Sequence, residues 1–187
     1  MFTGKLIGIC GKKGSGKSTL RSQIVGAEHI YFAQALKQAL ETMGLPPPWL
    51  YEPQHKEEPQ DLLGGRTPRY AMQTLGTEWG RNLMGSQFWV KIFLQKLSQS
   101  KAHTVVCDDV RFEEEVWAVR QVRNSFLVYV ATPGEVFYTP KHWWEFWKTE
   151  PHASERFNPE DEGVPVIVND GTPEDLYKKF LSIYWPR

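Results

Sequence analysis

The sequence predicts an α/β fold with a mostly parallel central sheet covered by helices on both faces, and three observations carry that expectation. Four short apolar runs (residues 6–10, 104–107, 126–130 and 164–168) are continuous rather than alternating, the pattern of strands buried on both faces. Stretches with helical spacing lie between them, which places the helices in crossover positions. The first run leads directly into Gly11-Lys12-Lys13-Gly14-Ser15-Gly16-Lys17-Ser18, which matches G-x-x-x-x-G-K-[ST] between a strand and a helix.

Taken in order, residues 6–10 form the first strand and residues 18–25 the helix after the glycine loop. Residues 30–32 read as a further short strand. A helix over 32–43 stops at Gly44, with Pro46, Pro47 and Pro48 beyond it. Residues 45–67 are rich in proline and charge and read as a loop. The strongest helical pattern is 68–84, followed by 89–98. The strand at 104–107 ends in Asp108 and Asp109, and a helix over 113–121 follows with Val116 and Val119 on one face. The strand at 126–130 precedes an irregular stretch, 132–163, which holds His142-Trp143-Trp144-Glu145-Phe146-Trp147-Lys148. The last strand, 164–168, leads to a helix over 173–184. Thr172 caps that helix, Pro173 suits its first turn, and Leu176, Phe180 and Ile183 face inward.

A chain of 187 residues suits one domain, 1–187, with a real core. Twenty-two basic and 22 acidic residues give zero formal charge, which disfavours polymer nucleic acid as a partner. Cys10 and Cys107 end apolar runs and read as core thiols of a reducing compartment rather than as a disulfide framework or a reactive pair. No apolar stretch reaches membrane-spanning length, and lysines and glycines interrupt the N-terminal apolar run, so no secretory pattern is present. The expected class is a cytoplasmic protein with no membrane partner. The Trp143/Trp144/Trp147 cluster reads as a hydrophobic satellite or an oligomer contact, a homodimer included, ahead of base stacking.

The glycine-rich loop suits phosphate binding. Its glycines let the backbone wrap closely with N–H groups pointing inward, and the helix N-terminus adds partial positive charge. Residues 11–19 (Gly11, Lys12, Lys13, Gly14, Ser15, Gly16, Lys17, Ser18 and Thr19) are the candidate ATP-binding set. Lys17 can reach the β- and γ-phosphates, and the Ser18 hydroxyl can ligate Mg²⁺. Asp108 and Asp109 put carboxylate at the C-terminal edge of the sheet, where open α/β sheets bind ligands. There a carboxylate can hold Mg²⁺ or orient an acceptor; a solvated helix-capping turn is the alternative. In the helix over 68–84, Ala71, Leu75, Trp79 and Leu83 form an expected inward stripe. Arg69, Gln73, Thr77 and Arg81 take the opposite face. Arginine suits bidentate phosphate recognition and glutamine a nucleobase edge, while an ordinary solvated face is the alternative.

Further residues carry a resemblance. Arg-x-x-x-Gln-x-x-Gly-Thr-Glu-x-x-Arg (Arg69 to Arg81), Trp89, Asp109-Val110-Arg111-Phe112, His152-Ala153-Ser154-Glu155 and Asn169-Asp170-Gly171 resemble the phage-type deoxynucleoside monophosphate kinases over nearly the whole chain. The resemblance implies a P-loop kinase three-layer fold, with acceptor-binding helices within about 33–100 and a lid within about 132–163. It implies ATP- and Mg²⁺-dependent phosphorylation of small-molecule deoxynucleoside monophosphates (dNMPs) in an infected bacterial host. Lys17, Asp109, Arg111 and Asp108 would be the catalytic set, with Asp109 the essential carboxylate, Asp108 its support, and Ser18 and Asp109 the metal ligands. Arg111 would hold the acceptor phosphate or the transferring group. Arg66, Arg69, Gln73, Thr77, Glu78, Arg81, Trp89 and Glu155 would bind substrate. His152, Ser154 and Arg156 would belong to the lid, and Asn169, Gly171 and Thr172 would lie near the ATP adenine. The chain departs from the family where Thr132 replaces a frequent arginine, where Ser18 replaces the aspartate of some relatives, where Met72 replaces leucine, and where Arg123-Asn124-Ser125 replaces a Gly-Gly turn. Two other readings stay open. One is a kinase acting on a hydroxymethylated base in DNA or on a small metabolite. The other is a non-catalytic nucleotide-binding module, although no Asn-Lys-x-Asp guanine-reading sequence is present.

Overall fold

A computed structural model describes residues 2–137 and 157–184. The expected lid residues His152, Ser154, Glu155 and Arg156, and the Trp143/Trp144/Trp147 cluster, lie outside the described residues. The chain divides into two compact units, residues 1–31 with 98–187, and residues 32–97.

The first unit holds a five-stranded parallel sheet in the order β2-β3-β1-β4-β5. Its strands are β1 (Lys5–Cys10), β2 (Glu28–His29), β3 (Thr104–Val110), β4 (Ser125–Ala131) and β5 (Val166–Val168). The continuous apolar runs are buried as expected, because helices cover both faces. Helix α1 (Lys17–Gln23) packs with α7 (Pro173–Tyr184) on one face, where Leu20, Leu176 and Phe180 meet Ile7, Ile9, Val106, Val128, Val130 and Ile167. Helix α6 (Glu113–Arg120) packs against β1 and β4 on the other. Thr172 does cap α7: its hydroxyl accepts the Asp175 N–H at 3.2 Å and donates to the Asp175 carboxylate at 2.8 Å.

Three boundaries differ from the sequence expectation. The short strand at 30–32 is instead β2 at Glu28–His29, and the Ile30 N–H continues toward β3, to Val106 O at 3.2 Å. Strand β5 begins at Val166 because Pro165 has no N–H for the ladder, although its carbonyl accepts from Tyr129 N–H at 2.8 Å. Strand β3 does not stop before the aspartates but runs through them to Val110. Gly8 pairs with Cys107 while Cys10 pairs with Val110, so β3 advances three residues where β1 advances two. Asp108 and Asp109 sit in that bulge, a device that re-aims side chains beside functional sites.

The second unit is helical: α2 (Gln34–Thr42), α3 (Pro47–Tyr51), α4 (Pro68–Gln73), a π-helix (Thr74–Leu83) and most of α5 (Phe88–Gln99). Its core gathers Leu36, Leu40, Leu45, Leu50 and Trp89. The stretch read as a loop contains α3, since Pro47 and Pro48 suit a first helical turn and Leu50 anchors it in the interior. The expected single helix over 68–84 changes winding at Thr74. Met84 N–H bonds Trp79 O, a step of five residues rather than four. Along this segment Trp79 and Leu83 are exposed and Gly76 and Gly80 take the buried positions, while Ala71 and Leu75 of the expected stripe pack against the core of this unit.

Candidate active site

The glycine loop leaves the C-terminal end of the central strand and enters α1 through Gly16. Gly11, Gly14 and Gly16 adopt φ values of 143°, 82° and 102°, backbone that side chains rarely tolerate. A Cβ on Gly11 would meet Val130 O at 2.4 Å, and one on Gly16 would meet the Asn169 amide at 2.3 Å, whereas a Cβ on Gly14 would enter open space. The loop is thus pinned at two points and open between them. The Ser15 hydroxyl is fully buried inside the loop with no hydrogen-bond partner among the described residues.

Lys17 lies nearly buried, and its Nζ donates to the Gly11 and Lys12 carbonyls at 2.7 and 2.6 Å. Burial, with Arg111 nearby, pushes it down to about 8, against the pull of Asp108 and Asp109. Lys17, β3 and Arg111 are therefore within electrostatic reach of one another. A phosphate would exchange two carbonyl acceptors for anionic oxygens and restore the lysine charge. The open Gly14 cradle, the orphaned Ser15 hydroxyl and the depressed lysine fit a polyphosphate. Ser18 and Asp109 supply oxygen donors, the type Mg²⁺ prefers when substrate phosphates complete its shell. Among the described residues no cluster of three or more His, Cys, Asp or Glu could hold a metal without such help.

The two aspartates differ in their partners. Asp108 Oδ1 lies 2.6 Å from His29 Nε2, and its Oδ2 accepts from Arg21 Nε at 3.1 Å. Burial would raise this carboxyl, but His29 and Arg21 outweigh it and hold it below the usual range. Asp108 thus ties β3 to α1 and β2. Asp109 accepts from Cys107 Sγ at 3.3 Å. Arg111 follows β3, and its backbone N–H, with that of Phe112, donates to the buried Glu115 carboxylate at 2.8 and 3.2 Å. Glu115 stands in the first turn of α6, and the fold shows that it fixes the Arg111 backbone.

Asn169 Nδ2 donates to Ser15 O at 3.0 Å, and Asn169 N–H to Ala131 O at 2.8 Å, so this side chain braces the glycine loop. Thr172 spends its hydroxyl on the α7 cap, and Gly171 packs against Asp175. Lys12, Lys13 and Ser18 are exposed, and Thr19 is half-buried in α1.

The expected acceptor residues belong to the second unit. Exposed Arg66 lies over the Tyr70 ring at 4.8 Å. Arg69 Nε pairs with Glu57. Gln73 and Glu78 are exposed and Thr77 is half-buried. Arg81 Nη1 donates to Gly76 O at 3.3 Å. The same carbonyl accepts Trp89 Nε1–H at 2.8 Å, and a Cβ on Gly80 would meet that nitrogen at 2.2 Å. Trp89, expected among the substrate contacts, is therefore a packed interior residue seated over Gly76 and Gly80.

A parallel sheet in the order 2-3-1-4-5, with a G-x-x-x-x-G-K-S loop leaving its central strand, defines a P-loop kinase fold. Residues 66–180 match the family described as "Deoxynucleotide monophosphate kinase", and the chain belongs to that family and is a kinase. A protein of Acanthamoeba polyphaga mimivirus, provisionally named a deoxynucleotide monophosphate kinase, is 28% identical over 193 residues, covering 95% of this chain and 94% of its own. The deoxynucleotide monophosphate kinase of Escherichia phage RB69 is 30% identical over 118 residues; the match covers 62% of this chain and 43% of the phage protein. Among solved structures, TT1252 from Thermus thermophilus is similar in fold, with TM-score 0.50, 20% identity, and coverage of 97% and 96% of the two chains. Among the described residues no helix is long and apolar enough to cross a membrane.

Proposed function

We propose that this kinase transfers the γ-phosphoryl group of ATP to the phosphate of a deoxynucleoside monophosphate. An acceptor phosphate oxygen attacks Pγ, the bond from Pγ to the β,γ-bridging oxygen breaks, and the electron pair leaves with ADP. The acceptor phosphate is ionised near neutral pH, so no strong general base is needed, and positioning and charge neutralisation dominate. The observation that carries this reading is the convergence of the open glycine loop, Asp109 and Arg111 around a lysine whose charge burial has weakened.

In this reading the loop N–H groups and Lys17 hold the β- and γ-phosphates. Ser18 and Asp109 hold Mg²⁺, which when bound offsets charge on the phosphate oxygens. Arg111 holds the acceptor phosphate or the transferring group. Arg66, Arg69, Gln73, Thr77, Glu78 and Arg81 are the acceptor candidates. Asp108 and Asn169 act through the backbone they brace, and Trp89 through the π-helix it supports. The small-molecule substrates are ATP and a dNMP, and the site of action is the cytoplasm of an infected bacterial host.

The test is a panel of dNMPs with ATP and Mg²⁺, scored for diphosphate formation, with Lys17→Ala as the control. DNA and small hydroxylated metabolites serve as rival acceptors. Diphosphate from at least one dNMP, lost in the control, is expected. Transfer only to a rival acceptor, or none at all, refutes the reading.

A further inference from the structure

Beyond the glycine loop, the Glu135 side chain of the first unit is held by several polar groups. Thr132-Pro133-Gly134-Glu135 is a type II turn: Glu135 N–H bonds Thr132 O at 3.1 Å, proline occupies the second position, and Gly134 has φ 72° in the third. The turn folds the Glu135 side chain back toward the end of β4, where it is 3% exposed. One carboxylate oxygen accepts the Tyr129 hydroxyl at 2.6 Å. The other accepts Thr132 N–H at 2.9 Å and the Thr132 hydroxyl at 3.2 Å. Lys12 Nζ lies 3.5 Å from the first oxygen and donates to Val136 O at 3.3 Å. Tyr129 is itself buried. The carboxylate is therefore a fixed anion, oriented by neutral donors toward one cation.

That cation is a residue of the phosphate loop, at the point where the loop turns. The Lys12 carbonyl accepts both Ser15 N–H at 3.2 Å and Lys17 Nζ at 2.6 Å. Anchoring the Lys12 side chain holds this carbonyl in place, and with it the turn of the loop and the resting position of Lys17. The same anchor draws the Lys12 ammonium onto the β4 turn. Thr132, which departs from the arginine frequent in the resembling family, serves here as a donor to Glu135.

We propose that Glu135 is a positioning residue that acts through Lys12 to hold the phosphate loop in its ATP-accepting shape. This rests on the assignment of the loop as the ATP site. Glu135→Gln keeps the side-chain size but removes the anion, and its amide N–H₂ must face a donor on one side. A partly exposed ion pair of this type predicts a loss in ATP affinity of about fivefold.

The experiment measures the ATP dissociation constant and the dNMP KM for wild type, Glu135→Gln, Lys12→Met and the double variant. Glu135→Gln and Lys12→Met should each weaken ATP about fivefold, with dNMP KM unchanged, and the double variant should be no weaker than either single one. That non-additivity is the readout a merely structural role would not produce. Multiplying losses in the double variant, or a dNMP KM that rises in step with the ATP constant, overturns the proposal. Should Glu135→Gln not fold, unchanged ATP affinity in Lys12→Met overturns it alone. Wild-type protein that binds no ATP removes the loop assignment itself, whereas normal ATP binding in both single variants removes only the role of Glu135.

Discussion

Replacing Asp108 and Asp109 separately by asparagine should split stability from catalysis. Asp108 bonds to both Arg21 and His29. Asparagine retains one acceptor oxygen but turns an N–H₂ toward the other donor, so one charge-assisted bond is lost and the second weakened. Bonds to charged groups contribute about 1.5–3 kcal/mol each, but Arg21 and His29 are each about a third exposed, and screening lowers the total to roughly 2 kcal/mol. For a chain of this size that corresponds to a Tm lower by about 4–8 °C. Catalysis should stay near wild type, because the Asp108 oxygens are occupied by protein groups. Asp109→Asn should instead show a loss of about a hundredfold or more in kcat, the scale of a removed transition-state electrostatic contact. Thermal denaturation and steady-state assays on the same preparations measure both. Equal kcat losses with equal Tm losses would refute the division of labour that the β3 bulge creates.

Three further outcomes follow from the geometry. Gly80→Ala should cost about 1–3 kcal/mol in urea denaturation as an overpacked site, because its Cβ would meet the Trp89 ring; Gly76→Ala should cost less, as its Cβ would meet only the mobile tip of Leu36 at 3.0 Å. Gln73→Ala should alter the ratio of kcat/KM among dNMP bases, whereas Arg69→Ala and Arg81→Ala should raise KM for all of them; small uniform effects would return these positions to an ordinary surface. At Glu135, burial would raise the carboxyl, but Tyr129, Thr132 and Lys12 hold it below the ordinary value. Its stabilisation is therefore present above the unfolded pKa near about 4.3 and is lost as pH falls through the lower folded value, so the Tm gap between wild type and Glu135→Gln should narrow below about pH 4.

Local chemistry was enough to read the glycine loop, because φ-permissive glycines, a lysine and a hydroxyl at fixed spacing follow directly from wrapping backbone around phosphate. Strands β1, β3 and β4 were legible for a similar reason: burial on both faces demands a continuous apolar run. The Thr172 cap depends on neighbours in sequence and was equally plain. Tertiary structure decided what depends on distant partners. No spacing rule places Arg21 and His29 on Asp108, 87 and 79 residues away, so the sequence ranked Asp109 above Asp108 without showing what Asp108 holds together. The Trp89 indole takes the Gly76 carbonyl and lies against Gly80, so the interior positions of the π-helix fall to the two glycines rather than to Trp79 and Leu83. Glu135 was invisible for the same reason. Its turn is local and written as Thr-Pro-Gly-Glu, but its partners Tyr129 and Lys12 reach it only when the parallel sheet brings the end of β4 beside the loop that leaves β1.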